Sequence, residues 1–406
     1  MQRLEVRQSG GGSTRPRIAL VIDRFDGRGG AEIYTRDLAA WLVERGCDVH
    51  VVARSIGAAE RRLPLTFHEV PSRGGRARFV AAVRERLAAI GSDVSHDMGA
   101  ALGCDVFQPH VGSAVACQRG FELAYPAWYR PLRRLLQACS RRRGLARHTL
   151  RQFTERDSLI VAVSRRVADD ITALHGVNPE RIRLIHNGID LTRFEATRHR
   201  EAGGEIRRRL GFDADDIVVI AVAHNPRLKG LHVLERVIRR LRQDAVPVRL
   251  LACGFGHPRS DDAVVAVGSV DDMPAHYAAA DIAVQPSFYD ACSLATLESL
   301  ASGLPVITTR LNGASELITP GVEGFVLENP ADEAVLADSL LRLAADSWQR
   351  ATMGRAGRRL AEEYGCDVAF TRVVAVYAEV VAARGDALQW RDADAADGPS
   401  GRRFAA

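Results

Sequence analysis

The stretch from Gln285 to Thr309 limits what this chain can fold into more than any other. Asp281-Ile-Ala-Val284 just before it reads as an apolar strand. A polar turn follows, and the apolar spacing predicts a helix from about Ser293 to Ala301. Gly303 suits a left-handed helix cap, and Pro305 leads into a second strand, Val306 to Thr309. Such a unit belongs in a parallel sheet. Asp290 lies in the turn and Glu298 eight positions on, inside the helix. The turn sets Asp290, the backbone amides of Cys292 to Leu294 and a helix N-terminus at the carboxyl end of a strand. An anion binds well at such a place. Nearby carboxylates suit hydroxyl groups, which donate hydrogen bonds to them.

Two α/β halves are legible around this unit. Arg17 to Ile22 is nearly continuous in apolar residues, as in a strand buried on both faces. A Gly-rich loop, a helical pattern from Ile33 to Arg45, a stop at Gly46 and a strand from Val49 to Ala53 complete a βαβ unit. Further strands of this half are expected near Val94, at Val106 to Gln108, Leu159 to Val163 and Arg183 to Ile185. A second series starts at Ile217 to Val222. It continues through a helix at Leu231 to Arg242 and strands at Val248 to Ala252 and Val264 to Val267. Polar residues 190–204 show no periodicity and read as the link between halves.

Lys229 is the only lysine among 55 basic residues. In a chain that uses arginine everywhere else, one ammonium suggests a task a planar guanidinium does not fill. Lys229-Gly230 opens the helix after strand Ile217 to Val222, where a helix N-terminus and a point charge meet a diphosphate. Gly29-Gly30-Ala31-Glu32 follows the first strand. Its glycines admit close approach of a phosphate or sugar, although the same residues also suit a tight βα turn with Glu32 against the helix dipole. A dinucleotide fingerprint is absent. Gly27-Arg-Gly-Gly30 has the wrong spacing, the second strand ends at Ala53-Arg54 without an acid, and Gly254-Phe-Gly256 lacks a third glycine.

Asp290-x7-Glu298, then Ala-Ser-Gly-Leu-Pro-Val-Ile, then Asn312-Gly-Ala-Ser-Glu316 resembles the E-x7-E signature of retaining GT-B glycosyltransferases. The likeness is to family 4, the group 1 glycosyltransferases, and among them to the glucosyltransferases of lipopolysaccharide core assembly. It covers roughly residues 17–385. Two departures stand out: the first acid is Asp, and His224 occupies a slot where the family often has Arg. The resemblance implies an α/β fold of two Rossmann-like parallel-sheet domains facing a cleft. It implies a tail over 1–15, an acceptor-binding domain over 16–190 and a nucleotide-sugar domain over 191–365. A helix over 366–386 crosses back to the first domain, and a second tail covers 387–406. Both tails are expected to be disordered from their polar composition.

The resemblance also assigns roles. Lys229 meets the donor diphosphate, and Arg227 or Arg193 supplies the second cation. Asp290 holds the sugar hydroxyls and Glu298 the ribose. Ala291, Cys292, Ser293 and Leu294 frame the anion, Gly254 lies beside the nucleotide, Gly29 and Gly30 face the donor, and His110 sits at the cleft edge near the donor sugar. The donor is a substrate, UDP-glucose or another UDP-hexose. No cofactor and no metal are expected, since Lys229 and helix dipoles meet the diphosphate. The acceptor is a glycan or a lipid-linked glycan of the cell envelope.

The charge is uneven. Between Arg130 and Arg151 lie eight arginines and no acid, and without them the net charge of +5 turns negative. Phe121, Tyr125, Trp128 and Tyr129 are interleaved nearby. This composition fits an anionic membrane surface. Regular aromatic platforms for nucleic acid are lacking. Seven scattered cysteines, no apolar leader over 1–15 and no long apolar run fit a cytoplasmic protein, peripheral on the inner membrane face. Two readings compete with the glycosyltransferase: a membrane-surface module on an α/β scaffold, and a sugar-nucleotide epimerase of the same fold.

Overall fold

The computed structural model describes residues 2–7, 13–27, 29–70, 75–133, 150–154 and 158–392. Two seven-stranded sheets carry the molecule. The first runs, edge to edge, Thr66–Glu69, Asp48–Ile56, Arg17–Phe25, Val94–Asp97, Val106–Phe107, Leu159–Ala162 and Ile182–Leu184, and every pairing is parallel. The second runs Arg259–Ser260, Val264–Gly268, Val248–Cys253, Ile217–Val222, Ile282–Gln285, Val306–Thr309 and Gly324–Leu327. Only its short edge strand Arg259–Ser260 is antiparallel. The expected pair of parallel α/β sheets is therefore observed.

Local sequence explains the elements. Val248–Cys253 is buried at all six positions, because helices cover both faces of a parallel strand. Helix Leu231–Gln243 buries Leu231, Val233, Leu234, Val237, Ile238 and Leu241 along one stripe. Each such side chain removed from water stabilises the fold by roughly 1.5–3 kcal/mol. Gly230 precedes this helix at φ 71°. A Cβ there would meet the Pro286 carbonyl oxygen, so only glycine lets the two loops approach.

The final helix, Cys366–Ala382, packs on the first sheet's layer. Phe370, Val373, Val374 and Tyr377 join the core of Leu20, Tyr34, Leu38 and Trp41. Polar contacts add to this: Trp41 Nε1 donates to Asp367 at 2.6 Å, and Arg183 pairs with Glu379 at 2.6 Å. The two passages between halves run side by side. Ile189 N–H donates to the Tyr364 carbonyl and Cys366 N–H to that of Ile189, both at 3.0 Å.

Two expectations are corrected. Residues 2–7 and 387–392 are not loose tails: Gln2–Arg7 pairs antiparallel with Ala387–Asp392, and Ser13–Thr14 adds a short third strand. Leu4, Val6 and Leu388 are buried, and Trp390 meets Trp41 edge-on at 6.0 Å. A period-two alternation of apolar side chains is hard to see within so polar a stretch. The tail residues 1, 8–12 and 393–406 lie outside the described residues. Nor is 190–204 a plain linker, because Ala196–Arg209 is a helix. Gly203 lets it lie directly against Ala278, a tertiary contact that periodicity does not reveal.

Candidate functional site

Strand order places the site. In the second sheet the order reverses between Ile217–Val222 and Ile282–Gln285, since the chain leaves their carboxyl ends in opposite directions. Loops after such a pair open a crevice. There the Gln285 amide, oriented to satisfy both groups, bridges the N–H and C=O of Val222 at 2.9 and 3.1 Å. The loop after the first strand carries Lys229, and the loop after the second carries Asp290. Their side chains form a partly buried ion pair. Phe288 N–H donates to the Leu228 carbonyl at 2.8 Å, so the two loops are also joined by backbone.

The Asp290 turn is held from below by Asn312, which is fully buried. Asn312 Oδ1 accepts from the N–H groups of Ser293 at 3.2 Å and Ala314 at 3.1 Å. Its amide nitrogen donates to the hydroxyls of Thr296 and Thr308, both at 2.9 Å. The Ser293 N–H, expected among the anion-facing amides, is therefore already used inside the protein, because a buried acceptor needs a donor. Ser293 Oγ caps helix Leu294–Ala301 by accepting from Thr296 N–H.

The first half reaches the same turn. Ser164 Oγ caps helix Arg165–His175 and also donates to the Ala291 carbonyl at 2.6 Å. Asn187 Nδ2 donates to the Cys292 carbonyl at 2.9 Å. Glu316 accepts from the N–H groups of Arg165 at 2.7 Å and Arg166 at 3.3 Å, and bonds His186 Nε2 at 2.5 Å. Gly29 precedes helix Gly30–Glu44, and a Cβ on Gly30 would lie 3.2 Å from Leu294 Cδ1. Two helix N-termini, one from each half, thus meet at the turn that carries Asp290. His110 stands at the end of the first sheet against Tyr34, with ring centroids 4.6 Å apart. Its Nε2 is enclosed with no partner among the described residues. Burial pushes the imidazole down to about 3.

Glu298 faces a small cavity between the halves, lined also by Tyr34, Asp37, Asp190, Arg193 and Phe370. Tyr277 Oη donates to Glu298 Oε2 at 2.8 Å. Burial raises the Glu298 carboxyl above its usual range, opposed by the Tyr277 hydrogen bond and Arg193 and reinforced by Asp37. Sequence reasoning missed Tyr277, Asn312 as a hub and the cross-half role of Ser164. The only available signal for Ser164 was its place before a helix, which revealed the cap alone.

The remaining expected residues are scattered around this centre. Arg193 approaches Glu298, whereas the Arg227 guanidinium stacks over Tyr125 at 4.3 Å. A Cβ on Gly254, at φ 99°, would lie 3.4 Å from the Ala223 backbone just past the neighbouring strand. His224 is exposed. Of the arginine patch, Arg134, Arg141, Arg142, Arg143 and Arg147 lie outside the described residues. Arg133 turns onto the rings of Tyr125 at 4.0 Å and Phe121 at 4.4 Å. Trp128 is 79% exposed beside it. Among the described residues no group of three or more His, Cys, Asp or Glu is placed to hold a metal ion, and no helix is long and apolar enough to cross a membrane.

Comparison with known proteins agrees with this architecture. Residues 28–193 match the family model for Glycosyltransferase Family 4, and residues 214–346 that for Glycosyl transferases group 1. The D-inositol 3-phosphate glycosyltransferase of Salinispora arenicola is 32% identical over 250 residues, 56% of this chain and 56% of that protein. The chain thus spans little more than half the length of such relatives. The MMP alpha-(1->4)-mannosyltransferase of Mycolicibacterium hassiacum is 28% identical over 299 residues, 70% of this chain and 67% of that protein. Among solved structures, WaaG, a glycosyltransferase involved in lipopolysaccharide biosynthesis, superposes with a TM-score of 0.72 at 18% identity, covering 88% of this chain and 98% of that one. Anabaena HepE in complex with UDP and glucose gives 0.69 at 18% identity, covering 90% and 100%. With a family 4 match over its first half, a group 1 match over its second and the same two-sheet fold, the chain belongs to the group 1, family 4 glycosyltransferases of GT-B architecture.

Proposed function

We propose that the chain is a retaining hexosyltransferase that moves a sugar from a UDP-hexose, UDP-glucose among them, to a glycan or glycolipid of the cell envelope such as lipopolysaccharide. The observation that carries this reading is the Lys229–Asp290 pair at the sheet's reversal point, with the N-terminus of helix Leu294–Ala301 following the same turn. Lys229 and the helix amides stabilise charge that develops on the leaving diphosphate. No metal is required for that role. Asp290 orients the sugar hydroxyls, Glu298 the ribose, and Arg193 is the nearer candidate for the second cation. His110 meets the donor sugar from the acceptor half. The acceptor attacks from the side the diphosphate leaves.

A panel of UDP-, GDP- and ADP-sugars tests the reading. A donor bound at about a hundred times its Kd should stabilise the fold by roughly 2.7 kcal/mol. Stabilisation by UDP-sugars and an α-linked product from an α-linked donor are expected. Stabilisation by another nucleotide alone, or an inverted product, would overturn the donor or the stereochemistry.

An imidazole held at about 3 is neutral throughout the range where enzymes work. The rate lost on His110→Asn should therefore be equal at about pH 6 and about pH 8. A deficit that changes as the pH crosses the ordinary imidazole range would show that His110 titrates there and contradict this.

The reading includes attachment to the inner membrane face. Trp128 at 79% exposed and Leu132 at 49% flank Arg130, which is partly exposed and donates to the Tyr125 and Leu123 carbonyls at 2.9 and 3.2 Å. An apolar group can enter the headgroup boundary while basic groups meet anionic phosphate. Co-sedimentation with anionic vesicles should occur and weaken with salt. Equal sedimentation with neutral vesicles, or none with either, would leave a soluble acceptor.

A further inference from the structure

We propose that Tyr277 is a positioning residue for the nucleotide: its hydroxyl holds one oxygen of Glu298 so that the other is aimed at the ribose hydroxyls. The inference rests on the reading of Glu298 as the ribose partner, and nothing in the E-x7-E likeness points to Tyr277. Tyr277 belongs to helix Met273–Ala278, a different element from the helix that carries Glu298. It is 1% exposed, and its ring meets Phe194 at 5.9 Å between centroids. The hydroxyl therefore has little freedom to move. It donates to Glu298 Oε2 at 2.8 Å, with the Ala295 carbonyl farther off at 3.3 Å. A carboxylate has room for several donors. With Oε2 held by Tyr277, Oε1 retains its full capacity for vicinal hydroxyls.

The charges around Glu298 make this hydroxyl matter. Arg193, from the loop after Asp190, favours the carboxylate, whereas Asp37, from helix Gly30–Glu44, opposes it. Asp37 is in turn paired with Arg36 at 3.0 Å, and Asp190 lines the same cavity. Tyr277 contributes the one hydrogen bond from a neutral side chain to this carboxyl among the described residues. Removing it leaves an enclosed acid with less stabilisation of its charged form. Its proton is then held to higher pH. Because a ribose donates to a carboxylate and less well to a carboxylic acid, nucleotide binding should fail at a higher pH than in the native protein.

The test is calorimetric binding of UDP, with GDP and ADP in parallel, to the full chain and to Tyr277→Phe and Glu298→Ala, from about pH 5 to pH 8. Phenylalanine keeps the ring, and thermal melting of each variant checks the fold. Tyr277→Phe should bind the ribonucleotide about tenfold more weakly, as expected for a lost hydrogen bond to a charged group. Its acid midpoint of binding should move up. Its preference for UDP over 2′,3′-dideoxy-UDP should shrink. A packing role alone would not move that preference or the midpoint. If Glu298→Ala loses affinity while Tyr277→Phe matches the native protein in all three readouts, the positioning role is wrong and the ribose reading stands. If neither variant differs from the native protein, or no nucleotide binds, the ribose reading falls and this inference with it.

Discussion

Lys229→Ala should lower donor turnover by about a hundredfold or more, the usual effect of removing one group that stabilises developing charge. The side chain lies at the crevice between the two loops and is paired with Asp290. Lys229→Arg should restore only part of the rate. A guanidinium is planar and needs room for its fork. Here the following residue, Gly230, is already so close to the Pro286 carbonyl that no Cβ fits. Alanine also leaves Asp290 without its cation, so some of the loss comes from a partly buried carboxylate. Steady-state kcat/KM for donor turnover, with circular dichroism to check the fold, decides the matter. Native rates in the alanine variant would remove Lys229 from the chemistry.

Gly313→Ala should damage both stability and turnover, although Gly313 carries no side chain and is given no contact of its own with the donor. A Cβ at this position would come within 2.4 Å of Ser164 Oγ and 2.6 Å of Ser164 Cβ, and closer still to the Ala291 carbonyl oxygen. Backbone cannot yield as a flexible side chain does. Either the Asp290 turn shifts or the Ser164–Ala291 hydrogen bond opens. Overpacking of this kind costs about 1–3 kcal/mol, and the lost hydrogen bond about 1 kcal/mol more. Gly313 N–H also donates to the Asp290 carbonyl at 2.9 Å, so any shift moves the acid itself. The melting temperature should fall by several degrees and turnover should fall with it. A variant that melts and turns over like the native protein would show that the turn has slack.

These two residues mark the division between what could be read and what could not. Lys229 was visible because composition isolates it and because a strand, a Gly and a helical stripe fix its local setting. The parallel sheets were visible for a related reason. Strands such as Val248–Cys253 must be apolar at every position when both faces are covered, and that signal is local. Asp290 and Glu298 were legible as a spaced pair, since the turn and the helix that follows it set their distance.

For Gly313 no local signal gave a physical reason. The resemblance includes it within Asn312-Gly-Ala-Ser-Glu316 without giving a reason, and the need for it comes from Ala291 and Ser164, the latter 149 positions away in the other half. Nothing in the neighbourhood of Tyr277 along the chain points to Glu298, and only the fold brings its hydroxyl there. The antiparallel pairing of residues 2–7 with 387–392 joins opposite ends of the chain. The sequence alone determined the central strands of the two sheets, their parallel class and the charged groups at the strand ends, because propensity, periodicity and burial act over neighbouring residues. Tertiary structure alone decided which amides remain free, which carboxyl is enclosed and which glycine admits no side chain, because those properties depend on atoms brought together from distant parts of the chain.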